Sequence, residues 1–311
     1  MRHAHRNIEH DMPSITATRN GHLSLASIGY ILTSMLCFAI VDALAKVVAL
    51  QYPANEVTFF RMLFGLIPAF VMCCVGKRSF ADRMRSLDIK GQTWRALTLL
   101  GASGFFFAGL PFMPLGEAVA IAYSETLIVV VLAPFVLKEK LTTRGAWSAC
   151  IGFAGVLLVV RPGGGESTWF GPLLLLASAM FGALSIMQIK RIRATDDSRT
   201  TVLFFSAVGT AVSACTLAFS WKTPTLQALV VMALLGAFAT AGQLLMTVAY
   251  RRADAGALAP FNYTSIAWAA LFAYVAWGEI IQPLSLAGIA LIVGSAIAVA
   301  WQRKLPEGPN A

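Results

Sequence analysis

The sequence predicts an all-α membrane protein: ten transmembrane helices in two inverted five-helix repeats, with both termini in the cytoplasm. Three observations lead there. Of the 311 residues, 58% are hydrophobic and 13% charged, whereas an ordinary soluble domain is about one quarter charged. The apolar residues form long uninterrupted blocks instead of faces alternating with charge, a pattern that lipid tolerates and water does not. The basic residues between the blocks fall almost entirely into alternate connections.

A hydrocarbon layer about 30 Å thick needs roughly 20 apolar residues at 1.5 Å rise each. That window gives spans at Leu25–Ala49, Val57–Val75, Ala96–Met113, Ala118–Leu137, Ala146–Val160, Phe170–Ile189, Val202–Phe219, Ala228–Ala249, Ala257–Trp277 and Leu284–Trp301. The fifth is the shortest. Residues 1–24 hold all four histidines (His3, His5, His10, His22), mixed charge and no apolar run. They read as a solvated, disordered cytoplasmic tail and not as a cleaved signal peptide. Residues 305–311 form a second cytoplasmic tail.

The net charge of +9 belongs to the membrane and not to nucleic acid. Of the 24 Lys and Arg residues, 20 lie in the N-terminal tail, the connections after spans two, four, six and eight, and the C-terminus. The opposite connections hold Arg161 and Lys222, and Lys46 and Arg61 lie within spans. The positive-inside rule then places both termini in the cytoplasm of a cell whose inner membrane the chain crosses repeatedly. Cys37, Cys73, Cys74, Cys150 and Cys215 are scattered through apolar spans, with neither a disulfide framework nor metal-ligand spacing, and read as buried small hydrophobes.

The chain is weakly similar to itself. An offset of 140 sets Gly116 on Gly256, Tyr123 on Tyr263, Ser124 on Thr264, Ala133 on Ala273 and Glu139 on Glu279. The boundaries that follow are 25–161 for the first repeat and 162–304 for the second. Five spans per repeat is an odd number, so the second repeat enters the membrane upside down. Two bundles related in that way can rock about a central site and expose it to each side in turn, which is the design of many carriers.

At these residues the sequence resembles the EamA-type family of the drug/metabolite transporter superfamily. The segments that carry the likeness are Pro114 to Ile121, Leu132-Ala133-Pro134, Lys138 to Leu141 and Gly152 to Pro162 in the first half, with Ala259 to Thr264, Gly278-Glu279 and Ala287 to Gly294 in the second. The resemblance implies ten helices, inverted topology and transport of a small organic metabolite such as a vitamin, an amino-acid-like or nucleotide-like compound, or an excreted product. The chain departs from the family pattern at Thr126, where relatives commonly carry Pro, and at Asn262, where some carry an acidic residue.

Ionisable groups inside a span cost roughly 2.5–3.5 kcal/mol on insertion scales and need a reason to be there. Asp42 and Lys46, four residues apart on one helix, share a face; they either neutralise one another or line a gate. Arg61, about one turn inside the second span, reaches the interface or an ion pair. Glu125 has no Lys or Arg within four residues and is the candidate for proton coupling. Together Glu125, Asp42, Lys46 and Arg61 are the candidate coupling or gating residues. The eighth span places Thr240, Gln243, Thr247 and Tyr250 on one face, and the ninth begins with Asn262, Tyr263, Thr264, Ser265 and then Trp268. The candidate substrate contacts are therefore Tyr123, Ser124 and Glu125 from one repeat and Gln243, Asn262, Tyr263 and Trp268 from the other, where rings offer apolar faces and amides fix orientation.

Small residues at four-residue spacing (Gly104 and Ala108, Ser148 and Gly152, Gly294 and Ala298) predict close helix approaches. Gly163-Gly164-Gly165 lacks the Lys and hydroxyl of a phosphate-binding loop. No cofactor or metal is called for, and the partners are a small-molecule substrate and the lipid bilayer. The oligomeric state is left open. Two other classes compete with a carrier, a membrane-embedded enzyme and a passive channel. No span holds a His or a catalytic motif, and no selectivity-filter sequence recurs.

Overall fold

The computed structural model describes residues 25–74, 88–136, 143–160, 169–189, 198–252, 258 and 261–302. Among these residues the chain is all helical. The elements are α1 (Leu25–Ala49), α2 (Ala54–Cys74), α3 (Ile89–Gly109), α4 (Leu115–Ala122), α5 (Glu125–Val136), α6 (Thr143–Val160), α7 (Phe170–Ile189), α8 (Ser198–Thr216), α9 (Leu226–Arg252), α10 (Thr264–Trp277) and α11 (Pro283–Gln302). A 3₁₀ turn, Leu110–Phe112, extends α3. The N-terminal tail with its histidines, the Gly163–Gly165 linker and Glu139 lie outside the described residues.

Each apolar block of the sequence becomes helix because a helix satisfies its own backbone where no water can. Six described stretches are long and apolar enough to cross a membrane: Leu25–Ala49, Ala54–Cys74, Ile89–Phe112, Leu115–Leu132, Phe170–Gln188 and Leu226–Met246. Shorter apolar helices run over Ala149–Val160, Thr264–Trp277 and Pro283–Ser295. The outward surface is itself oily: Ile67, Phe70, Leu173, Phe135 and Val275 are all exposed. That is the face lipid requires, and the protein is a multi-pass integral membrane protein.

The blocks at Ala118–Leu137 and Ala257–Trp277 are not single helices. The first breaks after Ala122, and Tyr123 and Ser124 close a turn in which Ser124 N–H donates to Ile121 O (3.0 Å) before α5 begins. The second breaks at Tyr263, the N-cap of α10, where Thr264 Oγ1 donates to Phe261 O (2.7 Å). Apolar periodicity continues straight through both breaks, which is why it reads each block as one helix.

The packing pairs follow the repeat. α1 lies against α9, and the equivalent pair α3 and α7 also packs together; α2 meets α8, and α6 meets α11. α1 contacts α10 as α7 contacts α4 and α5, and α4 meets α10 across the centre. Glycines permit the closest approaches. A Cβ at Gly155 would stand 2.6 Å from Gly288 O, and one at Gly236 would stand 2.8 Å from Gly65 N. Gly152 is equally tight, with Leu127 Cδ1 at 2.2 Å and Ser295 Oγ at 2.6 Å from the Cβ position. The spacing rule fails at Gly294, which has nothing within 4 Å; α6 and α11 touch one face further round, at Gly288. Cys37 and Cys73 are buried, whereas Cys74, Cys150 and Cys215 lie on exposed faces, and all five are free thiols.

Candidate functional site

The two helix breaks meet. The rings of Tyr123 and Tyr263, residues that the internal offset superposes, sit with centroids 5.8 Å apart and planes tilted by 52°. Tyr123 also points its hydroxyl at Met35 Sδ of α1 (3.6 Å). Beside the tyrosines, the hydroxyls of Ser124 and Ser265 are fully buried and have no hydrogen-bond partner among the described residues. A buried hydroxyl without a partner is costly to the fold.

Glu125 opens α5, one residue beyond the break, where the first-turn amides favour a negative charge. Its carboxylate lies flat against the bare backbone of Gly182 on α7. A Cβ there would fall 2.1 Å from Glu125 Oε2, so only glycine leaves the acid its place. Among the described residues Glu125 makes no ion pair. On the other side of the centre, Gln243 lines a cavity of about 20 Å³ with Arg61, Gly65, Thr240 and others. Thr240 ties α9 to α2 by donating to Gly65 O (3.0 Å). Trp268 is half-buried in α10, and Asn262 is half-buried just before the Tyr263 break. Thr247 and Tyr250 lie outside the residues whose side chains are described.

Lys46 does not pair with Asp42, although they share a helical face. Lys46 is 4% exposed, and its ammonium pairs with Glu279 Oε1, donates to Met113 O (3.1 Å) and stands 5.1 Å from the centre of the Trp277 ring. Glu279 Oε2 in turn accepts the Leu115 N–H (3.0 Å), one of the unsatisfied amides that open α4. Gly278 makes this possible. Its left-handed backbone (φ 65) ends α10 with the paired bonds Gly278 N to Tyr274 O and Glu279 N to Ala273 O, which turns the next side chain back over the helix end. One carboxylate thereby fastens α1, α4 and α10 at a single end of the bundle. In the sequence Glu279 stands out only as a repeat mark; the signal for its role is the glycine before it.

Asp42, part-buried on α1, makes no ion pair within 4.0 Å among the described residues. Arg61 does not reach the interface: Nη1 donates to Ser103 Oγ (2.7 Å) on α3, and the guanidinium lies over the Phe107 ring at 5.5 Å. A second carboxylate, Glu56 at the start of α2, also escapes sequence reasoning. It is fully buried and accepts Lys222 N–H (2.8 Å), while neighbouring Asn55 donates to Thr216 O (2.9 Å) and Ser220 O (3.0 Å). These bonds knit the start of α2 to the end of α8 and the α8–α9 connection. Among the described residues no group of three His, Cys, Asp or Glu side chains is placed to hold a metal.

Comparison with known proteins agrees with this architecture. The model of the EamA-like transporter family matches twice, over residues 25–161 and 169–301. An uncharacterized transporter of Helicobacter pylori is 28% identical over 298 residues, covering 91% of this chain and 97% of that protein. The S-adenosylmethionine uptake transporter of Rickettsia bellii is 28% identical, covering 89% and 94%. The pseudopaline exporter CntI of Pseudomonas aeruginosa is 24% identical, covering 86% and 93%. A protein of known crystal structure shares the fold with a TM-score of 0.58 at 19% identity, over 88% of this chain and 99% of that one. Two helical repeats, each broken at a matching tyrosine and each matched by the same family model, identify the chain as a member of the EamA-like transporter family.

Proposed function

We propose that the protein is a secondary carrier of a small organic metabolite in the cytoplasmic membrane, working by alternating access. It crosses the bilayer ten times, as two inverted repeats with both termini in the cytoplasm. The substrate lies near the midplane between Tyr123, Ser124 and Glu125 on one side and Gln243, Asn262, Tyr263 and Trp268 on the other. The observation that carries this reading is the contact of Tyr123 with Tyr263 at repeat-related helix breaks, the arrangement in which inverted-repeat carriers hold their cargo.

Under this topology α1 ends outside, so the Lys46–Glu279–Leu115 tie closes the outer end in the conformation described. The cavity at Arg61 and Gln243 has the volume of about one water molecule and not of a metabolite. Movement of the repeats is what makes room. Asp42, Lys46 and Arg61 gate the site, and Glu125 is the group placed to couple transport to protons, since no described residue forms an ion pair with it. Relatives named as an S-adenosylmethionine uptake transporter and a pseudopaline exporter support a small organic metabolite as the cargo.

The test is uptake into proteoliposomes holding the purified chain, with labelled S-adenosylmethionine, amino acids and vitamins as probes. A carrier gives saturable uptake that is accelerated when unlabelled compound is loaded on the far side. Uptake without saturation or countertransport points to a channel, and product formation points to an enzyme.

A further inference from the structure

Two ties of different chemistry hold the end of the bundle at which α1 meets α2. The first is the Lys46–Glu279–Leu115 tie, where one carboxylate, 23% exposed, joins α1 to the start of α4 and the end of α10. The second joins the α1–α2 connection and the start of α2 to the end of α8 and the α8–α9 connection. Asn55 Nδ2 donates to Thr216 O (2.9 Å) and Ser220 O (3.0 Å), and Ser220 Oγ donates back to Asn55 Oδ1 (2.9 Å). Fully buried Glu56 accepts Lys222 N–H (2.8 Å), and Tyr52 Oη accepts Thr225 N–H (3.2 Å). Lys222 Nζ donates to Gln51 O (2.8 Å) and stands 5.2 Å from the centre of the Tyr52 ring. Further down the bundle α9 stays close to α2: Thr240 Oγ1 donates to Gly65 O (3.0 Å), and a Cβ at Gly236 would fall 2.8 Å from Gly65 N.

The two ties differ in what it costs to part them. Most bonds of the second end on backbone atoms, and parting them strands the buried Glu56 carboxylate together with several peptide groups. In the first, the bonds to Glu279 run through one partly exposed carboxylate, and water can replace its partners as it opens. The helices that Glu279 joins to α1 also have places to bend. α4 ends at the Tyr123–Ser124 turn, and α10 begins at the Tyr263 break. They fit one another closely, since a Cβ at Gly116 on α4 would stand 3.4 Å from Ala270 Cα on α10. We propose that the cluster around Asn55 and Glu56 is a fixed pivot and the Lys46–Glu279–Leu115 tie a latch. On opening, α4 and α10 swing together away from α1, while α1, α2, α8 and α9 keep their contacts at this end. The unit that stays together is thus drawn from both repeats and is not one repeat. The inference rests on the carrier reading and says which interface of its site moves.

The experiment labels single cysteines in the full-length chain, stripped of native Cys, with a membrane-impermeant maleimide applied outside intact cells. Ala118→Cys reports the latch side, because Ala118 is fully buried on α4, three residues after Leu115. Ala228→Cys reports the pivot side, because Ala228 is buried in the first turn of α9 and its N–H donates to Thr225 Oγ1 (3.2 Å). Glu279→Gln, which breaks the latch, should speed labelling of Ala118→Cys about 10- to 100-fold by shifting the population toward the open state, and should leave labelling of Ala228→Cys unchanged. If Ala118→Cys does not reach the membrane, Ala120→Cys, also fully buried on α4, takes its place. Faster labelling of both positions alike, of Ala228→Cys alone, or of neither overturns the assignment. As a second readout, Asn55→Cys and Ser220→Cys joined by a short bis-methanethiosulfonate should still give saturable uptake of the labelled S-adenosylmethionine, amino acid and vitamin panel in proteoliposomes. Loss of uptake on bridging, regained on reduction, overturns the pivot. Absence of saturable uptake of every compound in that panel by the wild type overturns the carrier reading, while the labelling still decides which tie opens.

Discussion

Glu279→Gln removes one charge and almost no volume from the tie at the end of α1, α4 and α10. In the wild type the carboxylate pairs with Lys46 and accepts the Leu115 N–H at 3.0 Å. Breaking a fully buried ion pair costs about 3–5 kcal/mol, because the remaining charge is left uncompensated. Two features lower that here. The Glu279 side chain is 23% exposed, and Lys46 keeps the Met113 carbonyl at 3.1 Å and the Trp277 face at 5.1 Å. A cation over a ring retains about 0.5–2 kcal/mol. The expected loss is therefore about 2–3 kcal/mol. Lys46→Met should cost less, since the carboxylate it strands can turn toward solvent. The double variant should then be more stable than the sum of the two losses, by a coupling of about 1.5–3 kcal/mol. Unfolding of the purified protein in mixed detergent micelles, followed by tryptophan fluorescence across the four-member cycle, measures this. Losses that add to within about 0.5 kcal/mol would show that the two groups do not work as a pair.

Four further outcomes are open to measurement. In a background without native cysteines, Cys introduced at Ser86 or Ser198 should react only with reagent on the cytoplasmic side, and at Ser167 only from outside; labelling of the Ser86 and Ser167 positions from one side removes the ten-span topology. Glu125→Gln should abolish uptake driven by a pH gradient while leaving substrate exchange intact, and Gly182→Ala, whose methyl would stand 2.1 Å from Glu125 Oε2, should lower both by displacing the acid. An unchanged pH response in Glu125→Gln gives that residue a structural role. Gln243→Ala and Asn262→Ala should weaken substrate binding about tenfold each, the loss of one or two hydrogen bonds, without altering expression or monodispersity; wild-type affinity in both sinks the proposed site. Gly155→Ala, with 2.6 Å to Gly288 O, should destabilise the α6–α11 contact by about 1–3 kcal/mol in the same unfolding assay, since backbone cannot move aside as a side chain can.

Hydropathy alone located the helices well. The sequence limits of the first and sixth spans coincide with α1 and α7, because in lipid the backbone has few alternatives to a helix over an apolar run. The internal offset alone picks out Tyr123 and Tyr263, since residues at the repeat-related breaks have similar surroundings. What one-dimensional pattern did not contain was partnership. The four-residue spacing of Asp42 and Lys46 suggested a pair, yet Lys46 is taken by Glu279, 233 positions away, and Asp42 makes no ion pair within 4.0 Å among the described residues. Spacing along a helix fixes which residues share a face; which helix lies against that face is settled by how all the helices pack. The same limit explains Gly182, whose importance lies in the Glu125 carboxylate that rests on it, and Gly294, whose spacing promised a contact that the rotation of α11 places elsewhere. Composition and order therefore determined that this chain is a two-repeat helical membrane protein, while tertiary packing decided which charges meet, because in a low-dielectric interior a charge answers to its nearest neighbours in space and not to its neighbours in the chain.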